Sequence, residues 1–446
     1  MIGGNVPPGV ILPGGLPAAR AVQKDSTWVD ALLCCLLAVY VTTTVCEGPL
    51  RWGLALAGVP NLLYLRDAIP TGTLAFLFMR RLVLHGDIDV LIAVSMAVLA
   101  FHASIAVMLG VEIFPVLFAL KIFVFIPYGM AMWPLLRSRR RPAIAFVWIL
   151  YATSLAGVWV NGLVGRFPWE AFEYDTMFGT VQTTRLWWAM GESRLPGLAR
   201  TSYNAAIILG VTGFLAMLSL RQRIVRLVVA ALTLLAIVDT TSKGMMVAFS
   251  LAAAWLLLAS GRPWQAAVGR RLVLGVALVG LALPLLVLLL DVGSSISDSA
   301  VPDLLFSLWE RFSVMWPAAF ELLPRGPAAL LGAGLGGIGT PLMYGSAHPP
   351  FNPGDSLALY LLVTFGFAGV LYFLVPALLL RRAPLQTDPR VLQACTGVML
   401  MAYGYGVTTN VVEDSFLSIA FGLAMGIACS GLDALSKAPH ARTAHR

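Results

Sequence analysis

Long runs of apolar residues, separated by short polar segments, fill almost the whole chain. A helix needs roughly 20 apolar residues to cross a bilayer, and windows of that length recur from the first run onward. These runs do not alternate between apolar and polar positions, as the strands of an outer-membrane barrel do. The pattern predicts an all-α polytopic membrane protein with about 12 transmembrane helices. The predicted spans lie near residues 28–46, 50–80, 88–110, 112–136, 142–164, 202–220, 225–240, 244–260, 271–291, 355–380, 391–409 and 415–433.

The second predicted span, 50–80, is the least regular of these. Arg66, Asp67 and Pro70 interrupt its apolar run, so the segment is either one broken helix or two short ones. The two interpretations give opposite orientations to every later loop. Because Lys and Arg accumulate in cytoplasmic loops, the positions of the basic residues decide between them.

Arginine clusters lie in the short loops between predicted spans. Counting the segment 50–80 once places all of these clusters on the same side as both termini, whereas counting it twice places the cluster 137–141 outside. The positive-inside rule therefore favours about 12 spans, with both tails, 1–26 and 434–446, in the cytoplasm. The first apolar run lacks a small-residue cleavage site behind it and is expected to remain as a helix. The clusters are 137–141, 221–226, 262–271 and 381–390.

Two long loops, 165–201 and 292–354, face the non-cytoplasmic side in this topology. Both mix acidic and basic residues, which is typical of outward loops. In the second loop, apolar residues at helical spacing predict an amphipathic helix over 303–323 that lies along the membrane surface. Glycines and prolines make the segment 326–353 irregular. No separate soluble domain is indicated, so residues 1–446 are predicted to form a single membrane domain.

The composition supports the membrane assignment and limits the chemistry. Hydrophobic residues make up 59% of the chain and charged residues 12%, against about 25% charged in soluble proteins. The formal net charge of +8 is explained by the loop arginines, so no nucleic-acid partner is expected. The glycine-rich stretch 332–337 follows no predicted strand, which argues against a dinucleotide site. The five histidines show no metal-ligand spacing, and neither a metal nor another cofactor is expected.

Ionisable side chains near span boundaries are the best candidates for chemistry, because charge inside a bilayer is expensive. Several separate cations near one leaflet suit a polyanionic head group such as a diphosphate. Arg contacts phosphate oxygens as a planar fork and Lys as a point charge. A carboxylate or an imidazole in the same pocket could serve as general base. The candidates on the outward side are Arg200, Lys243, Arg311, His348, Asp355, Glu413 and Asp414.

Each candidate also has a purely structural alternative. Outward Arg and Lys side chains often extend from helix ends to lipid head groups. Asp355 follows Pro-Gly and precedes a predicted helix, so it could be an N-cap, a role for which Ser356 competes. Glu413 and Asp414 could cap the last helix, and His348 could be an ordinary loop residue.

Several patches between residues 195 and 380 together resemble the O-antigen ligase and O-antigen polymerase superfamily. Asp-Thr-Thr-Ser-Lys-Gly at 239–244 is similar to the family's Ser-Arg-Gly patch, with Lys243 in place of Arg. The segment 197–204 is similar to a short Arg-to-Asn segment that precedes a family helix. A further series follows the family's order of Arg, Gly-x-Gly-x-Gly, His-Asn-x-x-Leu and Gly-x-x-Gly. In this chain the series consists of Arg311, Gly-Ala-Gly-Leu-Gly at 332–336, Asp-Ser-Leu-Ala-Leu at 355–359 and Gly-Phe-Ala-Gly at 366–369.

The resemblance implies a GT-C-like transferase that uses undecaprenyl-diphosphate-linked glycans. In the family two cationic positions hold the lipid diphosphate. These correspond to Lys243 and Arg311, and Arg200 is expected to add a third cation. Family ligases have a His at the position of Asp355, so the change to a carboxylate favours a polymerase over a ligase. Either Asp355 or His348 is the expected base. Other substrate contacts are expected from Asn204, Glu413 and Asp414.

The sequence leaves three alternative functions for this protein. The first is polymerisation of undecaprenyl-diphosphate-linked repeat units into exopolysaccharide or O-antigen on the periplasmic side of the bacterial inner membrane. It needs no nucleotide, because the lipid diphosphate is itself the leaving group. The second is a ligase that transfers glycan to lipid A core. The third is a multi-span transporter or flippase, although the sequence shows no two related halves. The expected partners are the lipid-linked donor and acceptor, membrane lipid, and a chain-length regulator and flippase of the same pathway.

Overall fold

The computed structural model describes residues 16–86, 90–177, 179–186, 188–189, 192–259, 264–290, 302–346, 352–382 and 388–436. These residues are mainly helical, as predicted, and their only strands form two short β-hairpins. The helices are α1 (Leu16–Val45), α2 (Glu47–Leu56), α3 (Ala68–His85), α4 (Val90–Met108), α5 (Ile113–Phe123), α6 (Phe125–Ser138), α7 (Arg140–Val164), α8 (Ser202–Ser219), α9 (Arg223–Asp239), α10 (Lys243–Ala259), α11 (Gln265–Leu289), α12 (Asp303–Glu310), α13 (Trp316–Glu321), α14 (Leu357–Phe365), α15 (Phe367–Arg382), α16 (Pro389–Gly406) and α17 (Ser415–Ser436). The strands are β1 (Glu173–Thr176), β2 (Gly179–Gln182), β3 (Trp188–Ala189) and β4 (Glu192–Ser193).

Seven helical segments in the described residues are long and apolar enough to cross a membrane, fewer than the 12 spans predicted. The other predicted spans also contain helices, but most of these are shorter. For example, α9 and α10 have 17 residues each, and the span predicted at 355–380 divides at Gly366 into α14 and α15. The fold is therefore that of a helical membrane protein, and the count of 12 and the orientation stay predictions. The seven segments are Trp28–Val45, Pro60–Leu84, Val90–Met108, Ile113–Ser138, Arg140–Val164, Ser202–Ser219 and Gln265–Leu289.

The second predicted span is broken, as its interrupting residues indicate. Helix α2 has only ten residues, and a 3₁₀ segment, Pro60–Asp67, then leads into α3. Arg66 and Asp67 lie in this 3₁₀ segment, where Arg66 pairs with Glu47 and Lys121 pairs with Asp67. The break thus keeps these charges together at one end of the bundle.

Helices α8, α16 and α17 form much of the buried core. In α8 every residue from 205 to 214 is buried, which is expected of a helix surrounded by other helices. Helices α6 and α17 pack closely against each other. A Cβ added at Gly129 would overlap the backbone at Ile419, and one added at Gly422 would overlap the backbone at Ile126. Glycines here let two helix backbones pack directly against each other.

The first long loop, 165–201, folds into the two hairpins. The sequence does not predict them, because strands of two to four residues show too little alternation to be recognised. Strand β1 pairs antiparallel with β2, and β3 pairs with β4. Arg51 of α2 donates to the Tyr174 hydroxyl at 2.8 Å, and the Gly48 amide donates to the Leu198 carbonyl at 2.9 Å. These bonds hold the loop on α2, at the same end of the bundle as the 3₁₀ segment.

The second long loop is helical from Asp303 to Glu321, where the sequence predicts an amphipathic helix over 303–323. Helices α12 and α13 are joined by a π-helical turn of five residues, Arg311–Met315. Such a turn is a frequent feature of functional sites, because it changes the direction of one side chain without ending the helix.

The glycine-rich segment that follows packs on the break between α14 and α15. The Ala333 amide donates to the Val363 carbonyl at 2.7 Å, and the Gly334 amide donates to the Thr364 carbonyl at 3.0 Å. Gly332 and Gly366 have φ angles of 76° and 59°, and a Cβ on Gly332 would overlap the backbone of Gly366. Only glycine fits at both positions, because a side chain would be strained and would have no space.

Candidate functional site

Arg311 is the centre of the candidate site. Its Nη2 lies 2.9 Å from Oδ2 of Asp355, forming an ion pair. Its Nε donates to the Thr408 carbonyl at 2.9 Å, and its Nη1 donates to the Ser307 carbonyl at 2.6 Å. The guanidinium is thus held by three different segments of the chain, and its side chain remains 21% exposed. A bound anion could therefore still reach it.

Asp355 lies just before α14, in a segment fastened to the helices of the second loop. The Trp316 indole donates to the Asp355 carbonyl at 3.1 Å, and the Asn352 amide group donates to the Met315 carbonyl at 2.8 Å. Burial raises the pKa of the Asp355 carboxyl, and the neighbouring Arg311 opposes that rise. In the described residues neither Asp355 nor Ser356 caps α14 through its side chain. The Asp355 carboxylate is therefore available for pairing with Arg311, and the capping alternative does not describe it.

Lys243 lies at the first position of α10, next to the same Thr408. A Cβ on the adjacent Gly244 would lie 2.8 Å from Oγ1 of Thr408 and 3.0 Å from the Tyr405 ring. The start of α10 and the Arg311 side chain thus both lie at Thr408. The helix N-terminus adds its own positive partial charge at this position.

Arg194 is a further cation at this site that the sequence did not identify. The Leu195 amide donates to the Asp239 carbonyl at 3.5 Å, which places this part of the first loop at the end of α9. Burial lowers the pKa of Arg194, and the charge of nearby Arg311 lowers it further, while Tyr405 opposes the shift. Its Nε is buried and has no hydrogen-bond partner among the described residues. Nothing in a mixed-charge loop distinguishes this arginine from its neighbours without the fold.

Asp414 caps the last helix and also binds Asn204. Its Oδ1 accepts from the Leu417 amide at 2.7 Å, so the capping interpretation is correct for this residue. Its Oδ2 accepts from the side-chain amide of Asn204. Asn204 in turn contacts Thr201, the N-cap of α8. This pair joins the start of α8 to the turn before α17, two of the segments that surround the site.

Glu413 holds the glycine-rich segment rather than a helix end. Its Oε1 accepts from the Thr340 amide at 2.9 Å, and its Oε2 accepts from the Thr340 hydroxyl. The Tyr360 hydroxyl is a third donor. Burial raises the pKa of Glu413 to about 7, with a smaller contribution from the negative charge of Asp355, while the Thr340 and Tyr360 hydrogen bonds oppose the rise. Glu413 therefore lies close to Asp355 and changes its charge near neutral pH.

The raised pKa values of Glu413 and Asp414 predict how stability depends on pH. The pKa is about 7 for Glu413 and about 6 for Asp414, where burial is again the main cause, so both folded carboxyls hold protons more tightly than the unfolded chain does. This contribution to stability is complete below the unfolded pKa values and is lost as pH rises through the folded ones. The melting temperature of the purified protein should therefore fall between about pH 4 and 7. Glu413→Gln should flatten this slope, and an unchanged slope in that variant would contradict the assignment.

A second group of basic side chains lies beside this site and is called the arginine cluster: Arg51, Arg66, Arg185 and Arg200. Arg51 Nε donates to Glu47 Oε1 at 2.7 Å, and Arg66 Nη1 donates to Glu47 Oε2 at 3.1 Å. Burial alone would raise the pKa of Glu47, but Arg66, Arg51 and Arg200 hold it well below its usual range. The structure thus places Arg200 beside Glu47, in this cluster. From the sequence alone, Arg66 is predicted only to interrupt the second span, and its place in this cluster becomes evident from the structure.

His348, the other candidate base, lies outside the described residues, so its role stays a prediction. In the part of the chain that the structure describes, no group of three or more His, Cys, Asp or Glu side chains could hold a metal ion. The candidate site residues in the described part of the chain are therefore cations, carboxylates and hydroxyls.

The fold and the site define the class: a helical membrane protein with a charged site, built from separate segments, at one end of its bundle. Comparison with protein-family models, curated proteins and solved structures finds no match to this chain.

Proposed function

We propose that the protein is a glycosyltransferase that polymerises undecaprenyl-diphosphate-linked repeat units on the periplasmic side of the bacterial inner membrane. One observation carries the proposal. Arg311 forms a 2.9 Å ion pair with Asp355 and donates to the Thr408 carbonyl, and Gly244, the residue after Lys243, packs against the same Thr408, although these segments are far apart in the sequence. Cations beside a carboxylate at one end of a membrane bundle suit a reaction that needs a stabilised diphosphate and one activated hydroxyl.

The diphosphate of the donor would bind to the cations at the site. Arg311 offers a planar fork to the phosphate oxygens, and Lys243 offers a point charge at a helix N-terminus. Arg194 adds a third cation, whose buried Nε has no partner in the described structure. Negative charge grows on the bridging oxygen as the bond to the sugar breaks, and these cations stabilise it.

Asp355 would act as the general base. The incoming diphosphate competes for Arg311, and a carboxylate that loses its ion pair binds a proton more readily. Asp355 then takes the proton from the acceptor sugar hydroxyl, whose oxygen attacks the anomeric carbon of the donor. The new glycosidic bond forms as the bond to the diphosphate breaks, and undecaprenyl diphosphate leaves. Because the donor diphosphate must first displace Asp355 from Arg311, Asp355 becomes an active base only when the donor is bound.

The direct test is a chromosomal deletion followed by extraction and sizing of the undecaprenyl-linked glycans. We expect single repeat units to accumulate on the lipid and long polymer to disappear. Full-length glycan stranded on the lipid would instead indicate a ligase. Intermediates confined to the cytoplasmic leaflet would indicate a flippase, and either result would overturn the polymerase proposal.

Lys243→Gln should reduce polymer output by about tenfold or more, because the diphosphate loses one of its cations. Lys243→Arg should retain most of the output, since it keeps the charge at the same position. Both are measured as polymer per unit of membrane-inserted protein in a deletion strain. Equal output from the Gln variant and the wild type would remove Lys243 from the site.

A further inference from the structure

We infer that the arginine cluster binds a carboxylate carried by a sugar of the glycan, so that the protein acts on an acidic repeat unit. The inference rests on the proposed function, because it assigns the substrate class of the same site. The cluster consists of Arg51, Arg66, Arg185 and Arg200, as defined above.

The cluster already binds one carboxylate, and two of its four arginines have no carboxylate partner. Glu47 takes Arg51 and Arg66 as its partners at 2.7 and 3.1 Å. Among the described residues, the side chains of Arg185 and Arg200 form no ion pair and no hydrogen bond. The Nε of Arg200 is buried and unpartnered, which is unfavourable for a charged donor. A second carboxylate would supply the missing acceptor.

The local charge is also unbalanced. Arg66 and Lys121 share Asp67, and Arg51 and Arg66 share Glu47, so three basic side chains pair with these two carboxylates while Arg185 and Arg200 pair with neither. Burial lowers the pKa of Arg200, and the neighbouring charges of Arg51 and Arg185 lower it further, against the opposing effect of Glu47. An anion bound here would relieve both the burial cost and the repulsion.

The surroundings favour a sugar over a lipid head group. The Tyr174 hydroxyl contacts Arg51 at 2.8 Å, and Tyr344 lies near enough to Arg200, Arg51 and Arg185 for their charges to lower its pKa, against the larger effect of burial. Aromatic rings and hydroxyls beside a charge are suited to a sugar that carries a carboxylate. The exposed Arg185 marks the open side of the cluster.

The cluster is also connected to the transfer site through a short path. Arg200 lies one turn before Asn204, whose side chain binds Asp414. The next residue back, Glu413, is close enough to Asp355 for the two charges to interact. In this proposal the reacting hydroxyl lies at Asp355, and the carboxylate-bearing sugar of the same glycan lies at the arginine cluster.

The test uses the full-length protein in detergent and a matched pair of probes. One probe is a tetrasaccharide that contains glucuronate, and the other is the same tetrasaccharide after reduction of its carboxyl groups. Inorganic pyrophosphate is a third probe, for the cations around Arg311. Binding is measured by calorimetry for the wild type, Arg185→Gln, Arg200→Gln and Arg311→Gln, with Arg325→Gln as an exposed control. Arg185 is exposed and its side chain forms no hydrogen bond or ion pair in the described structure, so its variant tests binding with little effect on folding.

The carboxylated probe should bind at least tenfold more tightly than the reduced one, and both Arg185→Gln and Arg200→Gln should remove most of this preference. Arg311→Gln should leave the preference intact and weaken only pyrophosphate. Equal binding of the two tetrasaccharides, absence of binding, or a preference that survives both cluster variants would overturn the inference. Pyrophosphate binding that depends on Arg200 rather than Arg311 would also overturn the inference, since the cluster would then be a phosphate site. The proposed function is tested separately, by the lipid-linked intermediates of the deletion strain.

Discussion

Arg311→Ala should abolish the polymer and leave single repeat units on the lipid. The guanidinium is the only group in the described structure that contacts both the Asp355 carboxylate and the Thr408 carbonyl. Its loss removes the planar fork that would hold the leaving diphosphate. Removing one such stabilising group from a transfer site costs about 100-fold or more in rate. The measurement is polymer length and amount in a deletion strain that carries the variant.

This variant needs a control for stability, because it also leaves Asp355 without its partner. An unpaired carboxylate that is only 19% exposed is destabilising. The double variant Arg311→Ala/Asp355→Asn removes the unpaired charge and should recover thermal stability while still making no polymer. Arg325→Ala, at an exposed arginine of the same loop, should behave as the wild type. Normal chain length from Arg311→Ala would exclude a role in diphosphate binding.

Asp355→Asn should lower polymer output by roughly 100-fold or more, since a general base of this kind contributes that much to the rate. The amide has nearly the same shape and can still accept a hydrogen bond from Arg311, but it cannot take a proton. The level of protein in the membrane should therefore stay unchanged. Polymer output is compared with that of Glu310→Gln, an exposed acidic residue next to Arg311.

The two outcomes for Asp355→Asn separate its chemical role from a structural one. Loss of polymer with unchanged melting temperature supports the base. Full output in the Asn variant would show that Asp355 only positions Arg311, and His348 would then be the candidate to replace next.

The class of fold and three residues of the candidate site could be predicted from the sequence, because both depend on local patterns along the chain. Apolar runs of span length are sufficient to identify membrane helices, and charges at their ends are conspicuous. Lys243, Arg311 and Asp355 are predicted in this way, and the structure pairs Arg311 with Asp355 and places the start of α10, where Lys243 lies, at Thr408.

Other parts could not be read from the sequence, because they depend on contacts between distant segments. Arg194 and Arg185 lie in a loop with several similar arginines, and only the hairpins place them near the site. Arg51 lies in α2 and becomes a site candidate only through its pairing with Glu47 beside the first long loop. The roles of Glu413 and Asp414 also differ, although the residues are adjacent: one holds Thr340 and the other caps α17.

The backbone contact between Gly332 and Gly366 has a consequence for mutational screens. Both positions exclude side chains for reasons of space and backbone angle, and the segment they hold leads to α14, which begins at Leu357, two residues after Asp355. A screen for lost polymer would therefore identify them alongside Arg311 and Asp355, although no substrate need touch them. Protein yield separates the two kinds of loss, because the glycine variants should be depleted from the membrane while Asp355→Asn should accumulate normally.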